Sequence, residues 1–589
     1  MHSLFINRLS VAVLACLLVI GCSLTTSPEQ RQVDEKVKVS NQVISRPEPE
    51  DALPSPRSTA AEEKPAVAAE VPKAAAKLKS EGRLDASLLQ TQSGVVRTRE
   101  LDAIRYPSEP LDRENYGHFE DNPVKRVAEH PVSTFSIDVD TGAYANVRRF
   151  LKAGRLPAQD AVRVEELINY FSYNYPVPES KKRPFSVTTE MAPAPWHPAR
   201  YLLHIGIKGY DIPKADLPPA NLVFLVDVSG SMRAPNKLDL LKTSLKLLTR
   251  QLRADDRISI VVYAGASGVV LEPAPGDATA KITAALDALT AGGSTNGGAG
   301  IRLAYNMAQQ AYIPDGINRV ILATDGDFNV GTVSFEALKD LIENKRKTGI
   351  SLTTLGFGTG NYNDHLMEQL ADAGNGNYAY IDNLNEAQKV LVDEISSTMH
   401  TIAKDVKIQV EFNPAVVTEY RLIGYENRVL RREDFNNDKV DAGEIGAGHT
   451  VTALYEIVLQ GSSGLYLEPL RYAPKVKETD KRTNELAFLR IRYKLPTSTK
   501  STLMEWPLKN ADMTADIART SENLRFSAAV AAFGQLLRGG KYTENMSYSD
   551  VIELANSARS QDHFGYRGEF VQLVNLAQSL ASSDKQASQ

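Results

Sequence analysis

The stretch that decides the fold is NLVFLVDVSGS, residues 221–231. Residues 222–226 form an apolar run that is typical of a parallel strand buried on both faces. The run continues directly into DVSGS, so Asp227, Ser229 and Ser231 leave the end of a buried strand at alternate positions. The glycine between the serines lets the backbone fold these groups around a common point. The stretch therefore predicts a strand that ends in a polar site.

Strand-like and helix-like patterns alternate after this stretch. Apolar runs at residues 258–263, 320–323 and 351–357 resemble the first strand in length and composition. Leucines between them recur every three or four residues, which is the spacing of an amphipathic helix; they are Leu238, Leu241, Leu245, Leu248 and Leu252. We therefore predict an open, doubly wound α/β sheet over residues 219–395.

Two later motifs carry oxygen ligands to the same predicted edge. A glycine-rich loop, GGSTNG at residues 292–297, contains Thr295, and the strand at 320–323 is followed by Thr324 and Asp325. Ligands of doubly wound sheets bind at the carboxyl ends of the strands, where these motifs would converge. Carboxylate and hydroxyl oxygens suit Mg²⁺ or Mn²⁺. So few carboxylates would leave the cation an open position that attracts an external acidic group.

These five residues resemble a known site. Asp227, Ser229 and Ser231 match the Asp-x-Ser-x-Ser signature of the von Willebrand factor type A domain, Thr295 matches its loop threonine and Asp325 its late aspartate. The resemblance implies a complete metal-ion-dependent adhesion site. It also implies that the hydroxyls contact the metal, that the aspartates act largely through water, and that an acidic side chain of a protein partner completes the coordination. We expect Mg²⁺, with Mn²⁺ as the alternative.

Strand-like runs also flank the alternating segment on both sides. They lie at residues 185–191, 201–208, 406–412, 451–459 and 487–493. Since chain termini that lie close together permit insertion of a domain, we predict a β-sandwich, residues 181–218 and 396–510, interrupted by the doubly wound domain. We further predict a small α+β domain at 96–180 and a helical region at 511–589.

The beginning of the chain is typical of an exported protein. Residues 1–21 contain a short apolar run, and the sequence Val-Ile-Gly-Cys at residues 19–22 resembles the lipobox of bacterial lipoproteins. We predict a signal peptide and a lipidated Cys22, with Ser23 indicating the outer membrane. Residues 22–95 are rich in Pro, Ala, Glu and Lys and predict a disordered tether. The predicted location is the cell envelope, with the protein anchored in a membrane by lipid.

Two acidic groups have less specific patterns. Asp138 and Asp140 precede a predicted helix, and we favour helix capping by Asp140 or Thr141 over cation binding. Residues 434–444 resemble a calcium loop, but Lys439 stands where such a loop has glycine. We therefore favour a hydrated hairpin there.

Composition excludes other classes of function. The net charge is −5 and the sequence shows no basic stripe, so we predict no nucleic-acid partner. No two histidines stand four residues apart, and no Gly-x-Ser-x-Gly motif occurs. We interpret His204, His365 and His449 as ordinary core or surface residues. We predict that the protein is not an enzyme, and we rank a hydrolase third, after the two hypotheses given below.

The regions flanking the doubly wound domain, near residues 135–141 and after His400, resemble those of the YfbK-like bacterial lipoproteins. The leading hypothesis is a membrane-anchored, metal-dependent protein-binding module of the cell envelope. The alternative is an envelope scaffold or assembly factor in which the metal is structural. A partner protein offering an acidic side chain would favour the first.

Overall fold

The computed structural model describes residues 114–180, 182–294, 296–326, 334–468, 470–472, 482–559 and 562–587. The predicted signal peptide (1–21), the predicted tether (22–95) and Cys22 lie outside the described residues, as does Thr295. Within the described part of the chain, no helix is both long and apolar enough to cross a lipid bilayer.

Strands and helices occur throughout the described residues. The strands are β1 (Lys125–Arg126), β2 (Val132–Ser136), β3 (Phe185–Ala194), β4 (His197–Gly209), β5 (Ala220–Asp227), β6 (Arg257–Tyr263), β7 (Ser267–Pro275), β8 (Ile317–Thr324), β9 (Ser351–Phe357), β10 (Tyr378–Ile381), β11 (Thr401–Phe412), β12 (Val417–Ile423), β13 (Gly443–Gly446), β14 (Thr450–Leu459), β15 (Glu485–Lys494) and β16 (Ser501–Lys509). The helices are α1 (Gly142–Lys152), α2 (Val164–Asn169), α3 (Leu240–Thr249), α4 (Thr279–Asp287), α5 (Gly297–Gln310), α6 (Phe335–Arg346), α7 (Asp364–Ala373), α8 (Leu384–Gln388), α9 (Ile395–Met399), α10 (Glu522–Leu537), α11 (Tyr548–Asn556) and α12 (Tyr566–Ala587).

The predicted doubly wound domain is built on a six-stranded sheet in the order β10-β9-β8-β5-β6-β7. Strands β10, β9, β8, β5 and β6 are parallel, and the edge strand β7 is antiparallel to β6. The chain leaves β5 for β6 on one side and later adds β8 on the other. The carboxyl end of β5 therefore lies at the switch point of the sheet, where ligands of such folds bind. The predicted fold of this segment is confirmed.

Strand β5 is buried along its whole length. Leu222, Phe224 and Val226 pack in one core with leucines of α3, whereas Val223 and Leu225 pack in a second core with α5, α6 and α7. Both faces of the sheet are thus covered by helices. That is why the strand has a continuous apolar run instead of alternating apolar and polar residues.

Two antiparallel sheets form the predicted sandwich. One has the order β1-β12-β14-β4-β3, and the other is β13-β11-β15-β16 with β2 also paired to β11. Side chains of both sheets share one core, including Ile205 from the first sheet and Ile408 and Leu489 from the second. The doubly wound domain follows β4, which ends at Gly209, and precedes β11, which begins at Thr401. It is therefore an insertion in the sandwich.

Residues 114–180 differ from the separate α+β domain that we predict for 96–180. Strand β1 pairs with β12 and β2 pairs with β11, so both strands extend the sandwich sheets. Helices α1 and α2 pack in one core with α10, α11 and α12. These helices also cover the outer face of the first sheet, where Leu202 and Leu454 join the same core. The helices bury their apolar residues only together, so the segment is part of a larger frame.

Three arginines of this frame contact acidic side chains of the doubly wound domain. They are Arg148 on α1 and Arg163 before α2, which are both buried, and the half-buried Arg428 after β12. Their partners in the inserted domain are Asp382 and Glu386 for Arg148, Asp364 and Glu368 for Arg163, and Glu368 and Asp372 for Arg428. Charged contacts withdrawn from water hold specific geometries, so the domain and its frame meet in a defined arrangement.

Candidate metal centre

Asp227 ends β5 and is fully buried. Its Oδ1 accepts a hydrogen bond from the Ser229 backbone N–H at 2.9 Å. Its Oδ2 accepts from the Tyr263 hydroxyl at 3.1 Å and from the Thr324 hydroxyl at 2.9 Å. Burial raises the pKa of the Asp227 carboxyl and the nearby charge of Asp325 adds to this, whereas hydrogen bonds from Ser229 and Thr324 oppose it. The carboxylate is therefore held in one orientation at the switch point.

The two serines of the motif lie side by side. Ser229 Oγ and Ser231 Oγ are 2.9 Å apart; Ser229 is buried and Ser231 is half-buried. A short 3-10 turn, Gly230–Arg233, brings the second hydroxyl back beside the first. Two neutral oxygens thus lie next to a buried carboxylate, which is the arrangement that the Asp-x-Ser-x-Ser spacing predicts.

The glycine-rich loop is bonded to the serine loop through the backbone. The Gly292 N–H donates to the Val228 carbonyl at 2.7 Å, and the Gly230 N–H donates to the Gly293 carbonyl at 3.0 Å. Gly293 has a φ of 84°, which glycine adopts without strain. Thr295 lies outside the described residues, but the loop that carries it contacts the site through these bonds.

Asp325 follows β8 and is fully buried. Its Oδ2 accepts hydrogen bonds from Lys237 Nζ at 2.8 Å and from Asn361 Nδ2 at 3.3 Å. Lys237 Nζ also donates to Asn361 Oδ1 at 2.9 Å. The predicted motifs include neither Lys237 nor Asn361, although Asn361 lies in a polar run, residues 358–361, that directly follows β9. The structure adds these two residues to the predicted site.

The loop of Asn361 is held by the first described residues of the chain. The Asn115 N–H donates to the Tyr362 carbonyl at 2.9 Å, and the Asp364 N–H donates to the Asn115 carbonyl at 3.1 Å. The Glu114 carboxylate accepts a further bond from a backbone N–H of the same loop at 2.9 Å. The segment that enters the fold is thus bonded on either side of a residue that contacts Asp325.

The donor set fits a small divalent cation. Asp227, Asp325, Ser229 and Ser231 offer only oxygen, which hard cations such as Mg²⁺ and Mn²⁺ prefer. Two carboxylates are buried here close enough to raise the pKa of one of them, so a positive charge between them would relieve a real repulsion. The four described residues of the predicted site are brought together at one edge of the sheet.

The predicted capping of α1 by Asp140 or Thr141 is wrong. Thr141 occupies the cap position without a side-chain hydrogen bond. The first turn is capped instead by Glu166, whose carboxylate accepts from the Ala143 N–H at 2.7 Å. Asp140 accepts from the Tyr378 N–H at 2.8 Å, so it joins the frame to β10.

Acidic residues of segment 434–444 lie together with an acidic residue of another strand. Asp441 and Glu444 lie beside Asp405 of β11, with ligand atoms of the three acids within 4.8 Å of one another. Two of these acids form ion pairs with basic side chains: Asp441 pairs with Arg346 at 2.5 Å, and Asp405 pairs with Lys494 at 2.6 Å. Basic side chains thus already balance much of the charge of this group.

His204 on β4 and His449 just before β14 belong to the sandwich, whereas His365 on α7 contacts Gln369 Nε2 at 2.9 Å. Burial lowers the pKa of His204 to about 4 and that of His449 to about 3, so both are neutral near pH 7. His204 Nε2 lies 2.9 Å from the Tyr175 hydroxyl inside the frame. These contacts agree with a structural role.

Three family profiles match different parts of this chain. The profile of the von Willebrand factor type A domain matches residues 221–394, a von Willebrand factor profile matches 110–204, and the profile "Uncharacterized protein YfbK, C-terminal" matches 397–580. A von Willebrand factor type A domain is a protein-interaction module, and such domains often bind a divalent metal ion.

Relatives match along much of the chain. The "Uncharacterized protein YfbK" of Escherichia coli (strain K12) is 51% identical over 473 residues, which cover 79% of this chain and 81% of the relative. Inter-alpha-trypsin inhibitor heavy chain H3 of Mesocricetus auratus is 22% identical, over 54% of this chain and 40% of that protein. The solved structure "von Willebrand factor type A from Catenulispora acidiphila" is 16% identical, with a TM-score of 0.37, and covers 66% of this chain and 88% of that chain. The extent of the Escherichia coli match shows that this chain belongs to the YfbK family, with a von Willebrand factor type A domain inserted in its frame.

Proposed function

We propose that this protein is a lipid-anchored binding module of the bacterial cell envelope, and that its type A domain grips an acidic side chain of a protein partner through a divalent cation. The observation that carries the proposal is the pair of hydroxyls of Ser229 and Ser231, 2.9 Å apart, beside two fully buried carboxylates. Neutral hydroxyls and few carboxylates leave a bound cation with unsatisfied positive charge.

Each residue of the site has a distinct part in this proposal. Ser229, Ser231 and Thr295 would supply neutral oxygens to the cation, and Asp227 and Asp325 would supply negative charge. Mg²⁺ is the expected ion and Mn²⁺ the alternative, since both prefer oxygen ligands in octahedral geometry. When bound, the cation would supply a Lewis-acidic position for a carboxylate of the partner. No catalytic step is part of this proposal.

The direct test is a Ser231→Ala variant of the full-length protein. The hydroxyl of Ser231 is half-buried and, among the residues that the structure describes, it bonds to the hydroxyl of Ser229, so we expect its loss to leave the fold intact. We expect Mg²⁺ binding, measured by calorimetry, to weaken at least about tenfold, since one direct ligand is lost. Ser579→Ala, an exposed serine on α12, is the matched control. Equal Mg²⁺ affinity in Ser231→Ala and the control would refute the metal site.

Partner binding is tested next with the same variants. Immobilised wild-type protein should retain a specific envelope protein in Mg²⁺ and release it in EDTA, and Ser231→Ala should retain less of it. Substitution of acidic residues on the retained protein should abolish retention. Retention that is indifferent both to EDTA and to Ser231→Ala would contradict a metal-bridged contact.

The membrane anchor is a separate part of the proposal. Lipidation of Cys22 would hold the domains at the envelope, and Ser23 would direct them to the outer membrane. Metabolic labelling with a fatty-acid analogue should mark the wild-type protein and leave Cys22→Ser unlabelled. Labelling of both proteins, or of neither, would argue against this anchor.

A scaffold role is the second candidate, and three arginines of the frame favour it. Arg148, Arg163 and Arg428 fix the type A domain against the sandwich and helices, as a rigid assembly platform would require. In that case chelation would lower the melting temperature while partner retention persisted. The calorimetric and retention experiments above separate the two roles.

A further inference from the structure

A lysine ammonium contacts the carboxylate that the proposed site would offer to its cation. Lys237 Nζ lies 2.8 Å from Asp325 Oδ2, and the Lys237 side chain is only 8% exposed while that of Asp325 is fully buried. The ammonium is therefore a fixed internal positive charge. It neutralises one of the two acids at the switch point.

The fold makes specific room for this lysine. A π turn, Pro235–Asp239, presents Lys237 toward the sheet, and the aliphatic part of its side chain packs against Gly358. Gly358 has a φ of +77°, and any Cβ there would collide with the Lys237 side chain. Asn361 accepts a second hydrogen bond from the ammonium at 2.9 Å. A glycine and an amide from the same loop thus form a compartment for the lysine.

The positive charge opposes a second cation. Like charges repel strongly where water is excluded. An ammonium that donates to Asp325 Oδ2 also occupies acceptor capacity of that carboxylate. An arriving divalent ion must either bear this repulsion or displace the ammonium from Asp325. Both possibilities weaken metal binding relative to a site without the lysine.

We propose that Lys237 is a built-in competitor of the metal, which holds Asp325 when the metal is absent and lowers the affinity of the site for it. This inference rests on the proposed metal site. It adds that metal and partner bind cooperatively, because the carboxylate of the partner gives the metal the negative charge that Lys237 neutralises on Asp325. By thermodynamic linkage, each ligand then strengthens the binding of the other.

The test uses Lys237→Met and Lys237→Gln in the full-length protein. Methionine removes the charge at similar length, and glutamine removes the charge but keeps a donor for Asp325. Lys246→Met is the control, since Lys246 pairs with Asp287 on the outer side of the domain and is partly exposed. We expect both Lys237 variants to bind Mg²⁺ about tenfold or more tightly than the wild type and the control, by calorimetry. Mg²⁺ should also raise their melting temperatures more than that of the wild type.

The outcomes separate this inference from the metal site itself. If the wild type binds Mg²⁺ and a cooperatively folded Lys237 variant binds it equally or less tightly, Lys237 supports the site and the competitor role is wrong. If only the Lys237 variants bind Mg²⁺, competition is stronger than proposed and the inference holds. If no protein binds Mg²⁺, both the metal site and the inference fail.

Discussion

Glu368 of α7 lies among more carboxylates than the two neighbouring arginines can neutralise. Its carboxylate is 3.9 Å from Arg163 and 3.3 Å from Arg428. Both arginines also contact other acids, which are Glu166, Asp364, Asp138, Asp140 and Asp372. Burial raises the pKa of Glu368 to about 8, although the two arginines oppose this. We therefore expect the neutral variant Glu368→Gln to stabilise the protein at high pH.

The sign follows from proton linkage. The pKa of Glu368 is about 8 in the folded protein and 4.5 in an unfolded chain, so the folded state binds more protons between these values. The stabilisation is complete below about pH 4.5 and is lost as the pH rises toward about 8. The difference between the folded and unfolded pKa values corresponds to about 5 kcal/mol of unfolding free energy, at 1.36 kcal/mol per pKa unit. Because neighbouring carboxyls share the proton, we expect Glu368→Gln to gain about 2–5 kcal/mol at pH 8.5 and little at pH 5.

Urea unfolding of the full-length proteins at about pH 5, 6.5 and 8.5 measures this difference. The wild type should lose stability as the pH rises, and Glu368→Gln should lose less. Glu553→Gln, an exposed position on α11, should follow the wild type. If the free energy of unfolding of Glu368→Gln differs from the wild type by the same amount at all three pH values, the reasoning fails. The same holds if the variant is less stable at pH 8.5.

Two further substitutions test the cores and the interface. Leu245→Ala on α3 should lower the free energy of unfolding by about 2–5 kcal/mol, because the side chain is fully buried against β5; Leu247→Ala, on a partly buried face, should lower it less, and equal losses would contradict this packing. Arg148→Met should cost about 3–5 kcal/mol, because it leaves Asp382 and Glu386 buried without their cation; urea unfolding is again the measurement, and a loss near zero would show that the contacts are dispensable.

The parts of the fold that the sequence predicts are those set by local pattern. The apolar run of β5 indicates a sheet covered on both faces, and the two cores on either side of it agree. The partners of residues 114–180 are not predictable in this way. Strand β2 pairs with β11, and this choice of partner depends on which sheet edge is available in the folded sandwich.

The site shows the same division between motif and context. Asp227, Ser229, Ser231 and Asp325 follow strands in polar clusters, so their convergence is readable from the sequence. Lys237 has no such signal. Its place in the site depends on a π turn and on the compartment beside Gly358, and both arise only in the folded domain.

The pairing of Asn115 with the loop of Asn361 places the entry of the fold in series with that loop. A pull transmitted along the chain to residue 114 would act on the bond between Glu114 and Gly360 and on the two backbone hydrogen bonds between Asn115 and that loop. These bonds lie across a few residues at the edge of the fold and would yield before the cores of the sheets do. Tension on residue 114 would thus be carried to the loop of Asn361, the residue that donates to Asp325 at 3.3 Å.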